Sequence, residues 1–401
     1  MIAENRRARA HLDIPLIAIV YALSLFGIYA VAVATYSTSS SSSASLLSHI
    51  AESSSAWRQA LFVVISPLVL SFMISVPLHW FKRQARLIFW SATGLITVVW
   101  VFNRAQGVKQ WLDILWGFTI QPTEFAKLAI ILMLAKELSS GDKPMSNRRS
   151  VFRILLIVGI PSIVIILSGE TGSFFVIAFL FVFMLWFAKA DFKVFLIMLA
   201  LLVFLILLVY GYVVISGSTD YRVLRIVSFL NPSEYSASAY QQTNSKIAIG
   251  SGGLTGKGAF VDGAWYQLNY VPADWTDFIF ATIGEAWGFV GCTAVLAAFA
   301  LMIWRMLYLA RYTRDPFGML IIIGIAGMFL FHVIQNIGMT TGLLPITGIP
   351  LPFLSYGGSN LVTNMACVGM VLNVTRNRSL AGSFATPQQD VSFRPYTGEY
   401  T

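Results

Sequence analysis

Long apolar stretches, broken at short intervals by basic or glycine-containing polar segments, fill most of this chain. A helix needs roughly 17–25 predominantly apolar residues to cross the hydrocarbon of a bilayer, and about ten stretches approach that requirement. They are Ile14–Ala34, Ala60–Leu78, Leu87–Phe102, Pro122–Leu138, Ile154–Ser168, Gly172–Ala188, Val194–Ile215, Phe278–Trp304, Pro316–Met339 and Asn360–Val374. The pattern predicts an all-α, polytopic integral membrane protein. One polar segment, about 216–276, is much longer than the other connections, and long loops are usually functional or disordered. Its aromatic residues, among them Tyr221, Tyr235, Tyr240, Trp265, Tyr266, Tyr270 and Trp275, argue against disorder and predict short interfacial helices. The Ser-rich run Ser37–Ser45 reads as a flexible loop.

Composition agrees with that reading. The 401 residues are 57% hydrophobic and 11% charged, against roughly 45–50% and about 25% in soluble domains. With a mean hydropathy of +0.74, the apolar surface exceeds what one water-facing globule can bury. The formal net charge of +9 would suggest nucleic acid in a soluble protein, but the basic residues follow the spans and nucleic acid is not expected as a partner.

Cytoplasmic loops accumulate Lys and Arg. Placing the N-terminus inside and alternating puts Arg6, Arg7, Arg9, Lys82, Arg83, Arg86, Lys136, Lys143, Arg148, Arg149, Arg153, Lys189, Lys193, Arg305, Arg311, Arg314, Arg376, Arg378 and Arg394 on the cytoplasmic side. Fewer face outward: Arg58, Arg104, Lys109, Arg222, Arg225, Lys246 and Lys257. Both termini are therefore expected in the cytoplasm, with the long loop outside. A transmembrane domain over 1–376 and a cytoplasmic tail over 377–401 follow. The first apolar run exceeds the roughly 7–15 residues of a signal-peptide core and reads as an uncleaved helix. Cys292 and Cys367 both lie in apolar runs and support neither a disulfide framework nor a cysteine metal site.

Ionisable groups in or beside spans are costly and hence functional candidates. Glu124 and Lys127, in Gln121-Pro-Thr-Glu-Phe-Ala-Lys127, are three apart and share a helix face, either as a structural ion pair or as part of a polar cavity for an anionic headgroup. Glu170, in Ser168-Gly-Glu-Thr-Gly-Ser173, sits at a tight turn between spans, as a helix cap or a cavity group. Asp277 stands where the long loop meets an apolar helix, so it either caps that helix or acts as a general base. Glu285, about two turns further on, reads as structural. Gly250-Ser-Gly-Gly-Leu-Thr-Gly-Lys-Gly258 fails the P-loop pattern at Ser251 and Gly258. Lys257 there is either a pyrophosphate contact or part of a solvated turn. Three prolines and several glycines between Gly342 and Ser359 forbid a straight helix, so that backbone must line a cavity or be buried by protein.

The last of these segments, with Pro350-Leu-Pro-Phe-Leu-Ser-Tyr-Gly-Gly-Ser359, resembles the signature of the SEDS family of shape, elongation, division and sporulation proteins. Gln121–Lys127, Ile247–Gly258 and Thr276-Asp-Phe-Ile-Phe-Ala281 resemble further motifs of that family in the same order, so the resemblance covers nearly the whole chain. Gly256-Lys-Gly258 followed by Leu268-Asn-Tyr-Val-Pro272 looks more like its elongation branch than its division branch.

The resemblance implies a peptidoglycan glycosyltransferase in the bacterial cytoplasmic membrane. Such an enzyme polymerises lipid II at the outer face during cell elongation, with a class B penicillin-binding protein as transpeptidase partner. Asp277 matches the family's essential aspartate and becomes the base for the acceptor 4-hydroxyl. Lys127, Lys257, Lys109 and Arg225 become candidates for stabilising pyrophosphate. Glu124, Glu170, Ser355, Gly357 and Gly358 are further expected substrate contacts. A divalent cation, Mg or Mn, is the cofactor the family suggests, and no organic cofactor is expected.

The chain departs from the family pattern at Gln110, at Glu170, at Ala273 and at Asn360. A lipid II flippase, the division-specific polymerase and a non-catalytic scaffold for the penicillin-binding protein are the competing readings.

Overall fold

The computed structural model describes residues 12–36, 46–103, 111–113, 119–140, 148–188 and 236–384, with isolated positions 193, 195–197, 199–200 and 229. Its helices are α1 (Ile14–Ala34), α2 (Leu46–Glu52), α3 (Ser54–Ser75), α4 (Leu78–Asn103), α5 (Pro122–Leu138), α6 (Arg148–Ser168), α7 (Thr171–Phe187), α8 (Ser236–Ser251), α9 (Ile279–Arg311), α10 (Pro316–Thr341) and α11 (Gly358–Phe384). Each expected span falls on one of them except Val194–Ile215, most of which lies outside the described residues. A two-stranded antiparallel hairpin, β1 (Leu112–Asp113) and β2 (Thr119–Ile120), adds the one departure from an all-α membrane fold among the described residues.

Helix starts follow local chemistry. Asp13 caps α1 by accepting from the Leu16 amide at 3.0 Å. Asp315 caps α10 by accepting from the amides of Phe317 and Gly318, and Pro316 and Pro122 open α10 and α5, where the missing N–H costs nothing. Among the described residues six helices (α1, α3, α4, α6, α9 and α10) are long and apolar enough to cross a membrane. In α10 78% of the most apolar window is buried by protein, against 28% in α3, α4 and α6. So α10 is the central post, packed by α5, α7, α9 and α11, while the others turn apolar side chains outward.

The two ends of the bundle differ. At one end Arg305 reaches Asp13 at 2.8 Å, Arg86 and Arg153 flank Glu137, and Asn373 donates to the carbonyls of Met73 and Val76. This is the end to which the charge pattern assigns the cytoplasm. The described part of the long polar segment, 236–276, lies at the other end, where α8 docks on α9 and α10. Gln242 donates to the carbonyls of Met339 and Leu344, both at 2.9 Å, and Ser245 to that of Thr340 at 2.8 Å.

The glycine-rich turn after α8 is a backbone splice. Gly288 interrupts α9 with φ 62° and ψ −158°, a conformation essentially restricted to glycine. The broken turn is completed from outside: Lys257 and Gly258 donate their amides to the carbonyls of Glu285 and Ala286, and the amides of Phe289 and Val290 donate to those of Gly253 and Leu254. A Cβ at Gly288 would meet the Gly256 amide and the Leu254 carbonyl. Gly288→Ala is therefore expected to destabilise the protein by roughly 1–3 kcal/mol, read as a fall in thermal midpoint in detergent; an unchanged midpoint would show that the splice is not strained by a side chain.

Candidate active site

The polar cavity at the loop end is built from five segments. Its volume is ≈ 310 Å³, and its lining includes Trp111, Gln121, Glu124, Lys127, Glu170, Asp277, His332, Tyr356, Gly357 and Asn360.

Asp277 enters from the turn that precedes α9. That turn makes no regular secondary structure, so its carbonyls need partners from elsewhere. The broken segment between α10 and α11 supplies two of them, and α10 the third. The Tyr356 amide donates to the Trp275 carbonyl at 2.9 Å, Ser355 Oγ to that of Thr276 at 2.6 Å, and Asn336 Nδ2 to that of Asp277 at 2.7 Å. Asn336 also donates to the Ile349 carbonyl at 2.8 Å, and Ser355 Oγ accepts from the Leu351 amide at 2.7 Å, which ties the clamp to its own loop. Ser359 extends it to the opposite wall by donating to the Thr119 carbonyl and accepting from the Gln121 amide. Gly27 of α1 lets the Phe353 carbonyl approach where a Cβ would stand.

Asp277 does not cap α9. The cap position is Phe278, without a side-chain cap bond, and the half-buried Asp277 lines the cavity. Asp274, three residues earlier, is fully buried, and burial holds its carboxyl well above the usual carboxylate range.

Lys127 faces the cavity from α5 and is 1% exposed. Its Nζ donates to Glu124 Oε1 at 2.8 Å and contacts His332 Nε2 at 3.1 Å. The pair is thus both a structural ion pair and part of a cavity wall. Glu170 sits in the turn between α6 and α7. It holds the cap position of α7 without making a cap bond. Its Oε1 accepts from Gln121 Nε2, Thr123 Oγ1 and Ser173 Oγ at 2.6, 2.9 and 2.6 Å. Burial outweighs these bonds and pushes its carboxyl up to about 7.

Other expected contacts are placed elsewhere. Lys257 does not line the cavity. Its Nζ pairs with Glu285 Oε1 at 2.6 Å, and its own amide and that of Gly258 are bound within the splice, so the turn presents no phosphate cradle. Glu285 is fully buried and also accepts from the amides of Trp265 and Tyr266, a structural role. Ser355 is 1% exposed with its hydroxyl engaged on both sides, so it positions Asp277 instead of facing a ligand. Gly357 lines the cavity, whereas Gly358 is covered by the Phe62 ring. Lys109 and Arg225 lie outside the described residues. His332 and Asn336 were absent from the sequence expectations and Asn360 entered them only as a departure from the family pattern, although His332 and Asn336 are polar residues in an apolar span and carried the same signal as Glu124.

Among the described residues no cluster of three or more His, Cys, Asp or Glu side chains forms a metal cage.

These features define a polytopic helical membrane protein with a carboxylate-bearing polar cavity at one end of its bundle. A family model described as "Cell cycle protein", covering FtsW, RodA and SpoVE, matches residues 16–380, and the chain belongs to that family. It is 36% identical over 327 residues to stage V sporulation protein E of Bacillus subtilis, covering 80% of this chain and 87% of that one. Against the peptidoglycan glycosyltransferase MrdB of Escherichia coli it is 30% identical over 321 residues, 79% of this chain and 85% of that one. The fold matches a chain in a solved structure of a peptidoglycan synthase complex that coordinates polymerization and crosslinking, with a TM-score of 0.72, 24% identity, and coverage of 92% and 98%.

The raised Glu170 carboxyl gives a stability signature. Between the ordinary glutamate value near 4.5 and about 7, the unfolded chain releases a proton that the folded protein retains, so stability falls as pH rises through that window. Glu170→Gln removes this loss and keeps an oxygen for the three donors. Its thermal midpoint relative to wild type is expected to rise between pH 5 and pH 8; a difference independent of pH would contradict the assignment.

Proposed function

We propose that this protein is a peptidoglycan glycosyltransferase that polymerises lipid II at the outer face of the bacterial cytoplasmic membrane. The observation that carries the reading is the clamped turn that presents the Asp277 carboxylate to a polar cavity walled by Lys127. The glycosyltransferase relative and the family membership support the reaction, and the basic residues at the opposite end of the bundle support the sidedness.

In this mechanism Asp277 accepts the proton of the acceptor sugar's 4-hydroxyl as its oxygen attacks the donor's anomeric carbon with inversion. The bond to the undecaprenyl pyrophosphate breaks, and the leaving group departs with the electron pair. A fixed carboxylate suits this step because the base must lie within hydrogen-bond reach of the hydroxyl. Lys127 offsets the negative charge that the leaving group and the carboxylates bring to the cavity. A divalent cation, Mg or Mn, would be held by the cavity carboxylates and would help stabilise the pyrophosphate charge.

The partner in this reading is a class B penicillin-binding protein, supported by the match to a synthase complex that couples polymerization to crosslinking. The Gly256-Lys-Gly258 and Leu268–Pro272 pattern supports a place in the elongation machinery.

The test is lipid II polymerisation by purified protein with its cognate penicillin-binding protein, transpeptidation blocked. Asp277→Asn is expected to lose about 10²–10⁴-fold in rate. A folded, partner-bound Asp277→Asn protein that polymerises at the wild-type rate would overturn the base assignment. Absence of glycan from both proteins, together with lipid II movement across vesicles, would select the flippase.

A further inference from the structure

Four cavity-lining side chains each carry a buried polar atom without a hydrogen-bond partner: Glu124 Oε2, Glu170 Oε2, His332 Nδ1 and Asn360 Nδ2. Glu124, His332 and Asn360 are 2%, 1% and 5% exposed, so bulk water does not satisfy them, and such groups are costly unless something pairs with them. Their partners inside the protein fix what each offers. Lys127 is an ammonium with donors only, so His332 Nε2 must accept from it and the ring proton resides on Nδ1. Asn364 Nδ2 donates to Asn360 Oδ1 at 2.8 Å, which leaves the Asn360 amide N–H groups facing outward. The unpaired groups thus comprise two donors, His332 Nδ1–H and Asn360 Nδ2–H, one acceptor, Glu124 Oε2, and Glu170 Oε2, which donates while that carboxyl holds its proton, because three donors occupy Oε1.

That mixture selects among ligands. A metal ion would meet a protonated Nδ1. A phosphate, all acceptors, would lie against the Glu124 oxygen. An alkyl chain would leave all four groups unpaired. Neutral hydroxyl and acetamido groups donate and accept at once and match the set. The volume of ≈ 310 Å³ is at the small end of ligand pockets, in keeping with one sugar unit.

We infer that His332 and Asn360, with the free oxygens of Glu124 and Glu170, form a recognition site for the hydroxyl and acetamido groups of an N-acetylated hexose. The inference rests on the polymerase reading and deepens it, because it assigns the sugar, and not the pyrophosphate, to the inner part of the cavity. His332 then has two tasks: it holds Lys127 through Nε2 and reads the sugar through Nδ1.

The test uses purified full-length protein in detergent and the water-soluble disaccharide N-acetylglucosaminyl-N-acetylmuramic acid, observed by saturation-transfer NMR. Wild type is expected to saturate an acetamido methyl of the disaccharide, and which of the two methyls responds identifies the ring. Glucose should compete at least about tenfold more weakly than N-acetylglucosamine, and inorganic pyrophosphate should not displace the sugar. His332→Phe and Asn360→Leu should each weaken binding about tenfold or more, while His332→Gln, which keeps an N–H, should retain most of it.

No acetamido saturation in wild type, displacement by pyrophosphate but not by N-acetylglucosamine, or wild-type binding by folded His332→Phe and Asn360→Leu would overturn the site. The wild-type competition decides the matter even where a variant fails to fold. Polymerisation assayed on the same preparations separates the two readings. Glycan synthesis without sugar contact removes this inference alone. Sugar contact that depends on His332 and Asn360, without glycan synthesis, removes the polymerase reading and leaves the site.

Discussion

Capture of three successive carbonyls, those of Trp275, Thr276 and Asp277, is the constraint on which the rest of the site depends. A turn beside an apolar helix has no regular partner for its backbone, and in low-dielectric surroundings unpaired carbonyls are expensive. The proline- and glycine-rich segment before α11 answers that need with an amide from Tyr356 and a hydroxyl from Ser355, while α10 contributes Asn336. The same hydrogen bonds that stabilise the turn fix where its carboxylate points. Folding and the placement of the Asp277 carboxylate are therefore one requirement in this region, and the signature sequence reads as a device for holding Asp277.

Around that clamp the charges are arranged by cost. Solvent-facing ion pairs gather at the opposite end of the bundle, where Glu137 and Asp13 meet arginines. The cavity holds a fully buried pair, Lys127 with Glu124, and such a pair contributes little net stability because desolvation offsets its attraction. The pair lines the cavity and leaves Glu124 Oε2 unpaired there. Glu170 follows the same logic: three donors converge on one oxygen, and the other remains for the cavity.

Much of this was legible in the sequence because hydropathy and helix length are local properties. Ile14–Ala34 and Pro122–Leu138 are found with the expected bounds, and the Glu124–Lys127 pair follows from a spacing of three. Asp277 was reachable because it stands at a boundary between loop and span. What was not legible depends on contacts between distant segments. The ammonium of Lys257 looked available until α9 bent at Gly288 and brought Glu285 to it. Ser355 looked like a ligand contact because nothing in its neighbourhood announces a bond to Thr276, 79 residues away. His332 escaped attention because a lone histidine in an apolar run has no local partner; Lys127 lies 205 residues before it. The β1–β2 hairpin is too short to leave a pattern.

The central claim is that the clamp, acting through the backbone, sets the position of Asp277. The most direct measurement is the polymerisation turnover of a Ser355→Ala, Asn336→Ala double variant, with Asp277 unchanged and folding verified by its thermal midpoint. A displacement of about 1 Å costs on the order of 10²-fold when a reacting group is misplaced, so turnover is expected to fall by roughly that factor. A folded double variant that polymerises at the wild-type rate would contradict the account.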